Sequence, residues 1–156
     1  MVDNNFYLRC INQSYDEFNE TYELATEYLN DNDVKFNFIY KTTILIHWLL
    51  DVIDKKQIIS LVQANEQEIL RGLRHANNKL KHDSIIHNVT QRTGGFSFPI
   101  TFPICVEIVT FKFIDLPFDP SHPDNSNAYN NCIASTDVRE TLNLIKTIVE
   151  RFLQTN

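Results

Sequence analysis

Residues 34–53 read VKFNFIYKTTILIHWLLDVI, and this stretch decides the fold. Its aromatic and aliphatic residues lie almost all round a helical wheel, which leaves no clearly polar face. A helix that is apolar on nearly every side is buried among other elements. We therefore predict a helix at the centre of a bundle, in which His47 and Trp48 are packed structural groups.

Amphipathic segments flank this central helix on both sides. Before it, apolar residues recur at steps of three and four at Leu8, Ile11, Tyr15, Phe18, Tyr22, Ala25 and Leu29. After it, similar spacings place apolar residues at Ile69, Leu73, Ala76 and Leu80, and again at Val138, Leu142, Ile145, Val149 and Phe152. Residues suited to N-caps stand at 30–33, at Asn65 with Glu68 three positions later, and at 135–137. The pattern predicts four or five helices.

The period of the pattern changes between residues 94 and 131. Apolar residues alternate with others at Phe96, Phe98, Ile100, Phe102 and Ile104, and again at Val109, Phe111 and Phe113. Strict alternation is typical of strands, so we predict two extended segments. From 116 to 131, Pro, Asp, Asn and Ser predict a long surface loop. The expected fold is a single mainly α domain over 1–156, an up-and-down bundle of four to five helices with a β-ribbon inserted before the last helix.

Composition limits the classes of function. The chain has 156 residues, of which 43% are hydrophobic and 22% charged, as in an ordinary globular domain. A net charge of −6 argues against broad, sequence-independent binding to nucleic acid, which needs clustered Lys and Arg. Arg71, Arg74, Lys79 and Lys81 nevertheless lie within eleven residues. This local cluster is compatible with an anion site on an acidic protein.

The sequence gives no sign of secretion or of a membrane span. No basic start followed by an apolar run opens the chain, and the longest apolar stretch is broken by His47 and Asp51. Cys10, Cys105 and Cys132 are widely separated and have no metal-ligand spacing. We expect a cytoplasmic protein with three reduced thiols.

The helix from Arg71 to Asp83, RGLRHANNKLKHD, carries the candidate chemistry. Arg74, Asn78 and His82 stand at i, i+4 and i+8 and so share one face. His75 and Lys81 lie beside this line, and Arg71 extends it by one turn. We expect these side chains to project away from the buried stripe, toward solvent, a groove or a partner subunit.

An arginine, an amide and an imidazole on one face suit phosphate chemistry. Arginine holds a phosphodiester through paired hydrogen bonds and stabilises the charge that develops as the bond breaks. Histidine can move the proton of an RNA 2′-hydroxyl or of the leaving oxygen. Asn78 is suited to orient the phosphate or the imidazole. Arg74, Asn78 and His82 are the candidate catalytic residues, with Arg71, His75 and Lys81 as substrate-binding residues, and no metal or other cofactor is needed.

Arg74-His75, followed by Asn78 and by Lys81-His82-Asp83, resembles the signature of HEPN-domain proteins. Members of that family share an arginine, then a polar residue, then a histidine a few residues further on, late in an all-α bundle. Many are metal-independent ribonucleases of toxin–antitoxin and phage-defence systems, and their active site usually forms between two subunits.

The resemblance implies a homodimer that acts on RNA, together with an antitoxin or another protein partner. It implies that Arg74 binds phosphate, that His75 is the polar companion and that His82 is catalytic. This chain departs from the family pattern because seven residues separate Arg74 from His82, more than is usual.

Two other classes of function stay open. The first is a non-catalytic helical module whose basic helix binds a nucleotide or an acidic protein partner. The second is a metal-binding bundle that uses His75, His82, Asp83 and His87, although their spacing is neither the i, i+4 pair of a zinc helix nor a Cys/His cluster.

Overall fold

A computed structural model describes residues 3–80, 86–93 and 106–155 of the chain. The helices in these ranges are α1 (Asn4–Glu27), α2 (Asn32–Lys55), α3 (Ala64–Leu80), α4 (Pro123–Cys132) and α5 (Val138–Thr155). A 3-10 turn (Ile58–Ser60) joins α2 to α3, and two strands, β1 (Ile86–Thr93) and β2 (Val106–Phe113), separate α3 from α4. The predicted mainly helical fold with a small β element is confirmed.

Helix α2 lies at the centre of the bundle, as its sequence predicts. It contacts α1, α3 and α5, and Leu45, Ile46 and Leu49 are fully buried along it. Trp48 packs at the edge of the core, with its ring edge-on to Phe6.

One face of α2 is nevertheless exposed. Phe36 is 70% exposed, and Tyr40, His47 and Asp54 follow it on the same face, also exposed. The three helices packed against α2 leave this stripe uncovered. His47 is therefore a surface group and not the packed one that the sequence predicted.

An aromatic cluster joins the first two helices to the ribbon. The rings of Phe18 and Phe38 stack at 5.9 Å, and Phe111 of β2 lies 4.7 Å from Phe38 and 5.4 Å from Tyr22. The Tyr22 hydroxyl donates to Asp137 Oδ2 at 2.9 Å and accepts from the Phe111 backbone N–H at 3.3 Å. Burial raises the pKa of Tyr22 to about 12, so the phenol stays protonated and keeps both bonds.

The ribbon is an antiparallel pair in which Ile86 lies opposite Phe113 and Thr93 opposite Val106. The second predicted extended segment is confirmed, with Phe111 and Phe113 buried. The first predicted segment, 96–104, lies outside the described residues. Strand β1 was not predicted, because its polar stretch shows no apolar alternation and is recognisable only from its pairing with β2.

The predicted surface loop over 116–131 is wrong in its second half, where α4 forms. Asn, Ser and Asp favour turns in isolation, so the helix depends on tertiary packing. Ser126, Ala128 and Tyr129 are buried, and Pro123 occupies the first turn, where its missing N–H costs nothing. The Tyr129 hydroxyl donates to the Ile114 carbonyl at 2.7 Å, which ties α4 to the segment after β2.

Gly72 explains how α4 approaches α3 so closely. A Cβ at this position would lie 2.9 Å from Ile133 Cδ1 and 3.1 Å from the Tyr129 backbone. Only glycine leaves room for two helices at this separation. The close contact fixes α4, and with it the residues that precede it, beside the helix that carries Arg74.

The helix caps mostly follow the sequence. Asp31 accepts from the N–H groups of Asp33 and Val34, and Asp137 accepts from the Glu140 N–H at 3.0 Å. The expected cap at Asn65 is wrong, since α3 already begins at Ala64.

Candidate functional site

A polar cleft of about 390 Å³ opens where α2, α3 and the start of α4 meet. Its lining residues are His47, Leu50, Asp51 and Asp54 of α2, Arg74, Asn77 and Asn78 of α3, and His122 and Asn125 at α4. A volume within about 300–1,000 Å³ is typical of small-molecule sites. We call this feature the polar cleft.

The polar cleft brings together two of the three predicted catalytic residues. Arg74 and Asn78 lie one turn apart on α3, and both line it. Asn78 is exposed, and the Arg74 side chain is 41% exposed. The third residue, His82, and the neighbouring Lys81 lie outside the described residues.

Arg74 forms the boundary between the polar cleft and a second hollow. Its Nη2 makes an ion pair with Asp54, and both residues also line a hollow of about 430 Å³ toward the 3-10 turn. The Arg74 Nε is buried and has no hydrogen-bond partner in the described part of the chain. Part of the guanidinium is therefore unsatisfied even though the other part is paired.

Arg71 faces the second hollow and not the polar cleft. It pairs with Glu68 Oε1 at 2.8 Å, one turn earlier on α3. The two arginines of the predicted site therefore contact the same hollow, but only Arg74 reaches the cleft that Asn78 lines.

His75 does not project to solvent, and that expectation is wrong. The residue is 1% exposed, and its ring lies 5.4 Å from that of Tyr129 on α4. Its ring bonds to the backbone of Pro117, where the carbonyl is the acceptor, while Nε2 is buried without a partner among the described residues. Helix α4 packs on Gly72, and it therefore also covers His75, one turn further along α3.

Burial determines the charge of His75. It lowers the pKa of the imidazole, and the nearby positive charge of Lys79 lowers it further. The neutral ring is therefore favoured in the folded protein. A neutral, buried imidazole packs as part of the α3–α4 contact, although the sequence predicted it as a substrate-binding group.

Two histidines that the sequence did not assign to the candidate site line the polar cleft. His47 was predicted to be packed, and His122 lies within the predicted surface loop over 116–131. His47, Asp51 and Asp54 stand at i, i+4 and i+7, so three polar groups share one face of an otherwise apolar helix. That spacing is the signal that could have identified the α2 wall. His122 offered no comparable signal, because its position depends on the unexpected helix α4.

A carboxylate holds His122 in place. Asp119 Oδ2 lies 3.4 Å from His122 Nδ1, and Asp119 Oδ1 accepts from the Ser121 N–H at 2.9 Å. The Ser121 bond, and then the His122 ring, lower the pKa of Asp119. The carboxylate therefore stays ionised beside the imidazole.

The two acidic residues of the polar cleft are both paired with cations. Asp54 pairs with Arg74, and Asp51 Oδ2 pairs with Lys55 Nζ at 2.8 Å. The carboxylates are thus largely balanced and do not form an acidic cluster. Among the residues that the structure describes, no group of three or more His, Cys, Asp or Glu is arranged to hold a metal ion.

Comparisons of the chain with protein-family models, with curated proteins and with solved structures find no match. The resemblance to HEPN-domain proteins therefore stays a prediction. Within the part of the chain that the structure describes, no helix is both long enough and apolar enough to cross a membrane. Cys10 and Cys132 are free thiols, and burial raises the pKa of Cys132.

Proposed function

We propose that the protein is a metal-independent endoribonuclease of the HEPN type, with the scissile phosphate bound at Arg74 in the polar cleft. One observation carries the proposal. Arg74 and Asn78, predicted from a single helix face, line a cleft of nucleotide scale together with the imidazole of His47 on α2 and that of His122 directly before α4. Phosphodiester cleavage without a metal needs a cation for the phosphate and groups that transfer protons.

Each predicted catalytic residue has a distinct part in this chemistry. The Arg74 guanidinium binds the phosphate and stabilises the extra negative charge of the transition state. Its unpartnered Nε and its exposed Asp54 pair are consistent with a group that can exchange one anion for another. The amide of Asn78 orients the phosphate, and His82 is the proton-transfer group that the family resemblance implies.

The resemblance also supplies the biological setting of the proposal. The protein would act in the cytoplasm as a homodimer, with the motif of each subunit near the two-fold axis. A toxin–antitoxin or phage-defence system would provide its antitoxin or other protein partner.

The test is cleavage of single-stranded RNA in the presence of a chelator. Arg74→Ala is expected to lower the rate about 10²–10³-fold, as removal of one stabilising donor does in comparable sites. Arg151→Ala is the matched control, because Arg151 pairs with Glu66 at 2.9 Å and does not line the polar cleft. Equal rates for the two variants, or no cleavage of any RNA by the wild-type protein, would contradict the proposal.

A non-catalytic nucleotide-binding module is the second candidate, and the amides of the polar cleft favour it. Asn77, Asn78 and Asn125 offer both donors and acceptors that suit the edge of a base and need no proton transfer. This function predicts saturable binding of mononucleotides, weakened by Asn78→Ala, with intact RNA after long incubation.

A further inference from the structure

Two imidazoles reach the polar cleft from different neighbours of α3. His47 comes from the exposed face of α2, and His122 stands directly before α4. Helices α2 and α4 each pack on α3, which contributes Arg74. A phosphate held by Arg74 would therefore have a histidine available from each of two separate elements.

This division suits the geometry of phosphoryl transfer. The attacking oxygen and the leaving oxygen lie roughly in line, on opposite sides of the phosphorus. One group must remove a proton at the first oxygen while another supplies a proton at the second. Two side chains from separate elements can reach the attacking and the leaving oxygen at the same time, whereas a single side chain cannot reach both.

We propose that His47 and His122 are the proton-transfer pair of this site, with His47 as general base and His122 as general acid. The inference rests on the proposed ribonuclease activity and reassigns the proton transfer that the resemblance gives to His82. His47 takes the proton of the 2′-hydroxyl while its oxygen forms a bond to phosphorus. The bond from phosphorus to the 5′-oxygen breaks, and His122 gives its proton to that oxygen. The products are a 2′,3′-cyclic phosphate and a 5′-hydroxyl, so atoms and charge balance.

The surroundings of the two rings support these roles. Asp119, 3.4 Å from His122 Nδ1, balances the positive charge that the acid carries before it gives up its proton. It also fixes the ring through one nitrogen and leaves Nε2 for the substrate, which makes Asp119 a positioning residue. His47 lies one turn before Asp51, whose charge Lys55 already neutralises. The base therefore has no competing ion pair with Asp51.

The experiment compares two substrates in chelator: an RNA dinucleotide with its natural 5′-oxygen, and the same dinucleotide with sulfur at that position. A thiol is far more acidic than an alcohol, so the sulfur leaving group departs without a proton from the general acid. On the natural substrate, His47→Gln and His122→Gln should each lower the rate about 10²–10⁴-fold. On the sulfur substrate, His122→Gln should approach the wild-type rate, while His47→Gln stays slow.

The controls separate this inference from the proposed function. Arg151→Ala should keep the wild-type rate on both substrates, because Arg151 pairs with Glu66 and does not line the polar cleft. His47→Gln and His122→Gln should bind the uncleavable deoxy-dinucleotide as the wild type does, because both cleft histidines are exposed. A wild-type enzyme that cleaves, with full activity in both His47→Gln and His122→Gln, overturns the pair but keeps the nuclease. Rescue of His47→Gln by sulfur overturns the assignment of roles. A wild-type protein that cleaves neither substrate overturns both proposals.

Discussion

Helix α3 presents two faces with opposite surroundings within a single turn. On one face, Gly72 and His75 are buried beneath α4. On the other, Arg74 and Asn78 face the polar cleft and solvent. Both faces contain polar residues, so side-chain chemistry alone does not separate them. The difference comes from Gly72, whose missing Cβ lets α4 approach on one side only.

Adjacent residues of α3 therefore have different physical constraints. On the covered face a side chain must be neutral and must fit the space beside Tyr129. On the open face it can be charged and can exchange partners, as the surface pair of Arg74 with Asp54 does. Substitutions that introduce the same group on the two faces test this contrast most directly.

The largest difference is expected from a lysine introduced on each face. His75→Lys places a charge at a position that is 1% exposed, where Asp119, the acidic group that acts on this position, already pairs with His122. An uncompensated buried charge costs about 3 kcal/mol or more. Asn78→Lys adds the same side chain at an exposed position, where a change within about 0.5 kcal/mol is usual. Urea unfolding measures both free energies, and similar losses for the two variants would show that the faces do not differ.

A methyl group at Gly72 is expected to have the next largest effect. In an exposed helix, Gly→Ala stabilises by about 1 kcal/mol. Here the new Cβ would lie 2.9 Å from Ile133 Cδ1 and 3.1 Å from the Tyr129 backbone, so the sign reverses. We expect Gly72→Ala to lower the free energy of unfolding by about 1–3 kcal/mol, as overpacking does.

The matching control for Gly72→Ala lies on the open face of α3. Asn78→Ala replaces a poor helix former at an exposed site and should leave stability unchanged or slightly higher. Ile133→Val removes the nearest side-chain atom, so in the double variant part of the loss at Gly72 should be recovered. A stabilised Gly72→Ala would mean that α4 does not press against α3.

The sequence contained the information for α2 and for the caps of α2 and α5, because helical periodicity and cap chemistry are local. Asp31 and Asp137 cap the helices that their positions predict. The sequence did not contain a local signal for α4, because the residues of this helix favour a loop until Tyr129 packs on α3. Strand β1 likewise depends on its pairing with a segment about twenty residues away.

The dependence of α4 on tertiary packing also explains which residues of the candidate site could not be placed from the sequence. Arg74 and Asn78 follow from spacing on one helix, and the structure places both in the polar cleft. His75 follows the same local pattern but is covered by an element that the pattern cannot predict. His122 reaches the cleft for the same reason, since it stands at the start of α4. Because the sequence predicts a loop where α4 forms, it wrongly places His75 at the surface, whereas His122, predicted within that loop, is exposed as expected.

The smallest effect is expected from pH, and it again separates the two faces. Burial lowers the pKa of His75 in the folded protein below its ordinary value of 6.5. Above pH 6.5 the ring is neutral in both the folded and the unfolded protein, so the free energy of unfolding is not reduced by protonation of His75. As the pH falls below about 6.5, the unfolded chain takes up the proton first, so the free energy of unfolding decreases until the folded protein is protonated as well. One proton limits the slope to about 1.4 kcal/mol per pH unit.

The measurement is urea unfolding from pH 7.5 down to 5.5 for the wild type and for His75→Gln. The groups that act on His75 are Lys79 on its own helix and Asp119 and His122 from the segment before α4, and the variant retains all three. Asp119 has a lowered pKa, so its stabilisation is lost only below about pH 4, outside this range. We expect the wild type to lose more stability than His75→Gln between the two pH values. Parallel pH profiles would show that His75 does not need to be neutral in the folded protein, and the contrast between the faces would then rest on packing alone.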